Sequence, residues 1–167
     1  SALNFMGKAD DCLKLNGQAF NEDKLIAEGI EQKNRTVAFL IFFHRSVLGN
    51  YFGDADYAFK NSMNSEKLLD SVLGKIEVAL QSFHFGLAAA YASSYSSSKT
   101  NSILAKSIKK MKHLSKNAPE NFLNKQYLLR AEQERIAKRF NKARDYYDLS
   151  INTANKYGYI PVSYTHL

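Results

Sequence analysis

Apolar residues recur along this chain at intervals of three and four, the spacing of one face of an α-helix. The clearest case is 34–52, where Val37, Leu40, Ile41, His44, Val47, Leu48 and Tyr51 follow one helical stripe. Phe39, Phe42 and Phe43 widen that stripe, which predicts a helix covered on more than one side. A strand would be too long here, since strands rarely exceed about ten residues. Gly53 ends the segment and Asp54 is placed to cap the next by accepting a backbone N–H. The same period predicts helices over 54–70, 74–96, 101–116, 120–137 and 141–157, the last ending at Gly158. Ser93 to Asn101, rich in serine, reads as the clearest loop. Asn117-Ala118-Pro119 breaks the pattern, and proline suits the first turn of the helix that follows. In the first 33 residues the pattern predicts a frayed helix end, a loop at Asn16-Gly17 and a short helix over Asp23 to Gln32.

Segments 34–70, 74–117 and 120–157 make about three helical hairpins, seven or so helices in all. Their similar length raises the question of repeats. Phe140, Ala143, Tyr147 and Ser150 set large and small residues alternately at steps of three and four. This is the second-helix signature of a tetratricopeptide-type hairpin, with Ser150 where alanine is usual. Small Ala143 lets two helix backbones approach, and Phe140 and Tyr147 are expected to fill the adjoining gaps. Phe52 to Ala58 repeats the theme. Ala58 and Ala143 lie 85 residues apart, so the repeats are irregular or enlarged. The fold class predicted is all-α, a tetratricopeptide-like helical-hairpin array. Residues 1–33 are taken as a partial preceding repeat, 34–160 as the repeats, and 161–167 as a tail foreign to the fold.

Composition narrows the field. Eight glycines and two prolines in 167 residues are too few for a sandwich or barrel that turns every ten residues or so. Cys12 is the sole cysteine, which excludes an internal disulfide and a cysteine-based zinc site. The longest apolar run, Val37 to Phe43, falls far short of the roughly 20 residues of a membrane span. No signal peptide is visible, so a soluble cytoplasmic domain is expected. The net charge of +7 is uneven: residues 98–144 hold 13 basic side chains against three acids. Such a stretch suits an acidic partner or nucleic acid, and equally the solvated face of lysine-rich helices.

Phe52-Gly-Asp-Ala-Asp-Tyr-Ala58, Leu68-Leu-Asp-Ser-Val72 and Phe83-His-Phe-Gly-Leu87 form one ordered series. Lys110 to Lys125, Leu129-Arg-Ala-Glu132, and Ala143 to Ile160 continue it. In order and spacing the series resembles the helical-repeat region of very large signalling proteins. In that family a serine/threonine-kinase-like domain precedes an AAA/NACHT-type ATPase, the helical repeats, a GAF domain and a sensor histidine kinase. The resemblance spans roughly residues 15–160 and is most specific at Ala118-Pro-Glu-Asn-Phe122. It implies a non-catalytic interaction or regulatory segment whose partner is protein: a neighbouring domain of the parent chain or a peptide. No phosphate loop, kinase catalytic loop or histidine-kinase nucleotide box occurs in the 167 residues, so the resemblance carries over no ATPase or kinase residue. After Ile160 the chain departs from the family, and Pro161 to Leu167 reads as translated adapter or vector sequence.

The chemistry-bearing residues support no catalytic, cofactor or metal assignment. His44 and His84 sit among apolar neighbours and read as packed side chains, while His113 lies in a lysine-rich helix and His166 in the tail. No His-x-x-x-His pair supports a metal. Lys109, Lys110 and Lys116 surround His113, as a phosphotransfer histidine would want, but no glycine follows to admit a partner. Cys12 lacks an oxyanion motif. Asp10-Asp11, Glu22-Asp23, Asp54 and Asp56 read as caps and solvated turns. Phe122, Tyr127 and Phe140 interleave the basic stretch and would suit base stacking, yet they fall on the apolar face, where core packing is the simpler account. The partner-binding candidates are Lys106, Lys109, Lys110 and His113, on one face at i, i+3, i+4 and i+7. The alternative function is a free-standing adaptor or nucleic-acid-binding helical domain using residues 98–144.

Overall fold

The computed structural model of the protein describes residues 2–15, 21–22, 24–26 and 34–158, and every regular element among them is helical. The elements are α1 (Ala2–Phe5), α2 (Arg35–Tyr51), α3 (Ala55–Glu66), a 3-10 turn (Leu69–Val72), α4 (Glu77–Tyr91), α5 (Ser97–Leu114), α6 (Pro119–Ile136) and α7 (Phe140–Lys156). The all-α class predicted from the apolar period is the one observed. Of the helix expected over Asp23 to Gln32, residues 24–26 are described and are helical. The expected loop at Asn16-Gly17 and the tail from Pro161 lie outside the described residues. No helix among the described residues is long and apolar enough to cross a membrane. The chain divides into two compact units, Ser1–Ser94 and Tyr95–Leu167. That division falls inside the segment expected to form the middle hairpin.

In the first unit α2 is the central helix. The Asn34 side chain caps it by accepting from the Val37 N–H, and its apolar run then packs on two sides. Ile41 and Leu48 meet Leu15, Leu25 and Ile26. Phe39 and Phe43 meet Val72, Leu68 and Leu69. This double covering is why phenylalanines lie beside the helical stripe. Phe39 is buried completely, whereas Tyr51, assigned to the stripe, is exposed at the helix end. Gly53 takes a positive φ of 81°, and Asp54 Oδ1 then accepts the Tyr57 N–H at 2.9 Å. That is the cap read from the sequence. The close approach of α2 and α3 rests on Gly49, because a Cβ there would sit 2.9 Å from the Cβ and N of Ala58. α3 stops at Glu66, short of the expected 70. α4 begins at Glu77 because Gly74 adopts a left-handed φ of 81°.

In the second unit α5 starts at Ser97, inside what the serine content predicts to be loop. Ser96 is extended at the N-cap, and the Thr100 hydroxyl donates to the Ser97 carbonyl at 3.3 Å. Serine and threonine satisfy backbone groups in a first turn, so a serine-rich stretch suits a helix start as well as a loop. Leu104, Ile108, Met111 and Ser115 are buried, as the spacing predicts. Pro119 opens α6. The buried residues of α7 are all small: Ala143, Ser150 and Ala154. Phe140 departs from its expected role and is 65% exposed. It is the first residue of α7, and helical side chains lean toward the N-terminus, which directs this one away from the packed stretch of the helix.

That turn has a specific geometry. Lys138 N–H donates to the Arg135 carbonyl and Arg139 N–H to the Glu134 carbonyl, each at 2.9 Å. This is the Schellman closure of α6, with Lys138 at the left-handed position where glycine is favoured. Its φ is 58°, and the side chain is exposed. Lys138→Gly should therefore raise stability by up to about 1 kcal/mol, since glycine enters this conformation without the Cβ penalty. A thermal melt that shows no rise in midpoint would contradict the strain argument. Ala143→Leu should destabilise the second unit by roughly 1–3 kcal/mol through overpacking against α6, measured as a lowered urea midpoint.

Candidate functional site: the basic face of α5 and the α5–α6 cleft

Lys106, Lys109 and His113 are exposed on α5, and Lys110 is half-buried on the same helical face. They lie across the helix from Leu104, Ile108 and Met111, so apolar packing leaves this face to solvent. Part of its charge serves the helix itself. Lys112 and His113 occupy the last turn of α5, where positive charge complements the helix dipole.

A second feature of the same unit was not legible in the spacing. An open cleft of about 550 Å³ lies between the N-terminal half of α5 and the C-terminal end of α6. Asn101 and Leu104 line it from α5, and Arg130, Gln133, Glu134 and Ile136 from α6. Arg139, in the turn after α6, completes the wall and donates from Nε to Glu134 Oε2. That hydrogen bond, and the charges of Arg139, Lys142 and Arg130, hold the Glu134 carboxyl below the usual carboxylate range. The same contact raises the Arg139 guanidinium. Arg130 Nη1 donates to Gln133 Oε1 at 3.3 Å, a neutral partner.

Buried polar ties join the helices of this unit. Glu132 is fully buried and accepts from Arg135 Nε at 2.7 Å and from the Tyr147 hydroxyl at 2.6 Å. The Ser150 hydroxyl donates to the Asn124 carbonyl at 2.8 Å. Together these join α7 to α6. At the far end of α5 the Ser115 hydroxyl donates to Gln126 Oε1 at 2.7 Å. Lys125 is buried on α6 and donates to the Asn121 carbonyl at 2.9 Å, with burial pushing its ammonium below the usual lysine range.

The remaining candidates take structural positions. His44 is half-buried with its ring 5.3 Å from that of Phe43, and burial lowers its pKa. His84 lies against Phe83 and Phe43, and its carbonyl accepts from Asn50 Nδ2 at 2.9 Å. His113 and Cys12 are exposed, and His166 is outside the described residues. Asp11 accepts the Leu13 N–H. Asp56 accepts from the Ser94 hydroxyl at 2.7 Å and from Ser93, which keeps its carboxyl below the usual range. Glu22 corrects the expectation of a solvated turn. It is fully buried, accepts the Leu15 N–H at 2.8 Å and pairs with Arg45 of α2 at 2.8 Å. No local spacing announces that pair, because its partners come from other segments. Among the described residues no group of three or more His, Cys, Asp or Glu side chains could hold a metal ion. Phe122 is buried and Tyr127 half-buried against Tyr146, so these two aromatics pack as expected and Phe140 does not.

No protein-family model matches the chain, and neither a curated protein nor a solved structure matches it. The Tyr147–Glu132 tie can be tested directly. Tyr147→Phe removes one donor to a fully buried carboxyl and should cost about 1.5–3 kcal/mol. Tyr146→Phe, at a half-buried position, should stay within about 0.5 kcal/mol. Equal urea midpoints for the two variants would refute the role given to the tie.

Proposed function

We propose that this chain is a non-catalytic, tetratricopeptide-like segment of a large cytoplasmic signalling protein of the ATPase and protein-kinase type, and that its work is to bind protein. The observation that carries the proposal is the α6–α7 hairpin. Three of the four positions of its repeat signature behave as close helix packing requires. Ala143 and Ser150 are buried between the helices, and Tyr147 reaches across to Glu132. The ordered resemblance from Phe52 to Ile160 points to the parent architecture. Stacked hairpins of this kind bury one face on a neighbour and leave another for a partner.

Lys106, Lys109 and His113 also favour a second function, binding of nucleic acid through phosphate contacts. It ranks lower because two of the three aromatics that stacking would use, Phe122 and Tyr127, are packed within the unit, and Phe140 alone is exposed. One pair of experiments tests both. The uninterrupted gene is expected to encode a phosphate loop upstream and a histidine kinase downstream; an open reading frame with neither overturns the parent assignment. The pure chain should neither bind nor turn over ATP stoichiometrically, and random-sequence DNA should bind only weakly near physiological salt. Sub-micromolar DNA binding, abolished by Lys106→Glu with Lys110→Glu and falling by nearly one log unit per log unit of salt for each phosphate contact, would make nucleic acid the better function.

A further inference from the structure

The cleft beside α5 carries more charge than its own residues neutralise. Glu134 is the one carboxylate among the described lining residues, and three cations act on it: Arg139 by direct hydrogen bond, Lys142 and Arg130 through space. Arg130 spends its described hydrogen bond on the neutral amide of Gln133. Among the described lining residues two guanidiniums, Arg130 and Arg139, thus meet one carboxylate, which leaves one positive charge without a matching anion. A guanidinium in that state accepts a second carboxylate in bidentate geometry, with charge-assisted hydrogen bonds.

The walls are not polar throughout. Leu104 lines the α5 side and the partly exposed Ile136 the α6 side. A volume of about 550 Å³ exceeds what a lone inorganic ion fills, and lies within the range of clefts that take a small ligand or a few peptide residues. We propose that this cleft docks a peptide segment in which acidic residues flank an apolar side chain, the carboxylates on Arg130 and Arg139 and the apolar group between Leu104 and Ile136. Glu134, fixed in the wall, turns away a continuous phosphate backbone while a spaced carboxylate avoids it. Among the described residues that line the cleft none is aromatic, so a base has no ring there to stack on. The partner is therefore protein and not nucleic acid. The inference rests on the chain being a protein-interaction segment, and it names the chemistry of the partner.

The test is selection of binders from a random-peptide library on the full chain, followed by affinity measurement for the enriched peptides. Peptides combining Asp or Glu with an apolar residue should be enriched. Arg130→Glu should weaken them at least about tenfold, the effect of losing one charge-assisted contact, and Arg130→Gln should weaken them less. Lys106→Glu with Lys110→Glu, on the other face of α5, should change their affinity much less. An unchanged far-UV spectrum shows that Arg130→Glu still folds; if it does not, Arg130→Gln carries the comparison. No acidic enrichment, or acidic peptides that bind Arg130→Glu as tightly as the parent, overturns the cleft. Peptide binding lost only in the double lysine reversal overturns the cleft but leaves the interaction function standing. Oligo(dT) binding tighter than any selected peptide overturns both.

Discussion

Helices in this protein come together where a side chain is small or missing. Gly49 meets Ala58 at a distance that a Cβ would close to 2.9 Å, and α7 buries Ala143, Ser150 and Ala154 but no large residue. The remainder of each unit follows from these contacts. Close backbones let flanking side chains interdigitate at crystal-like density, and the large residues then fill the spaces to either side. In the first unit that means Phe39 and Phe43 on one side of α2 and Ile41 and Leu48 on the other. In the second, Phe122, Leu128 and Leu129 of α6 and Leu104, Ile108 and Met111 of α5 supply the bulk.

Several polar groups buried by this packing are tied across the elements. Ser46 and Ser62 share a hydrogen bond of 2.6 Å between α2 and α3, and Gln81 of α4 donates to the Ser62 carbonyl. Glu22 and Glu132 each lie fully buried with an arginine and a second donor. Leaving such a group unpaired costs more than forming the bond gains, so each tie restricts the unit to one register of its helices. An apolar core alone specifies register less sharply.

Charge in the second unit divides into two kinds. On α5, Lys106, Lys109 and His113 project into water, where salt screens them over about 8–10 Å. At the cleft, Arg130, Arg139 and Lys142 gather around one carboxylate beside apolar walls. Clefts with low-dielectric walls focus charge where a flat helix face disperses it. The uneven charge of residues 98–144 thus has two destinations, and only one of them is a concave surface.

The all-α class, three of the six long helices to within one residue at each end, and the caps at Asp54 and Pro119 were legible in the sequence. All of these depend on local period, on capping groups and on proline or glycine, which act within one or two turns of chain. The solvent-facing lysine face of α5 was legible for the same reason. Other features waited for tertiary structure. Ser97 to Asn101 joined a helix because serine serves a first turn as well as a loop. Phe140 turned outward because the Schellman turn placed it at the first position of α7. The cleft and the buried carboxylates Glu22 and Glu132 stayed hidden, since each is assembled from residues on different segments or on both sides of a turn. Periodicity determines which face of a helix is apolar; only the packing of one helix on another decides which polar residues that face encloses and where a concavity remains.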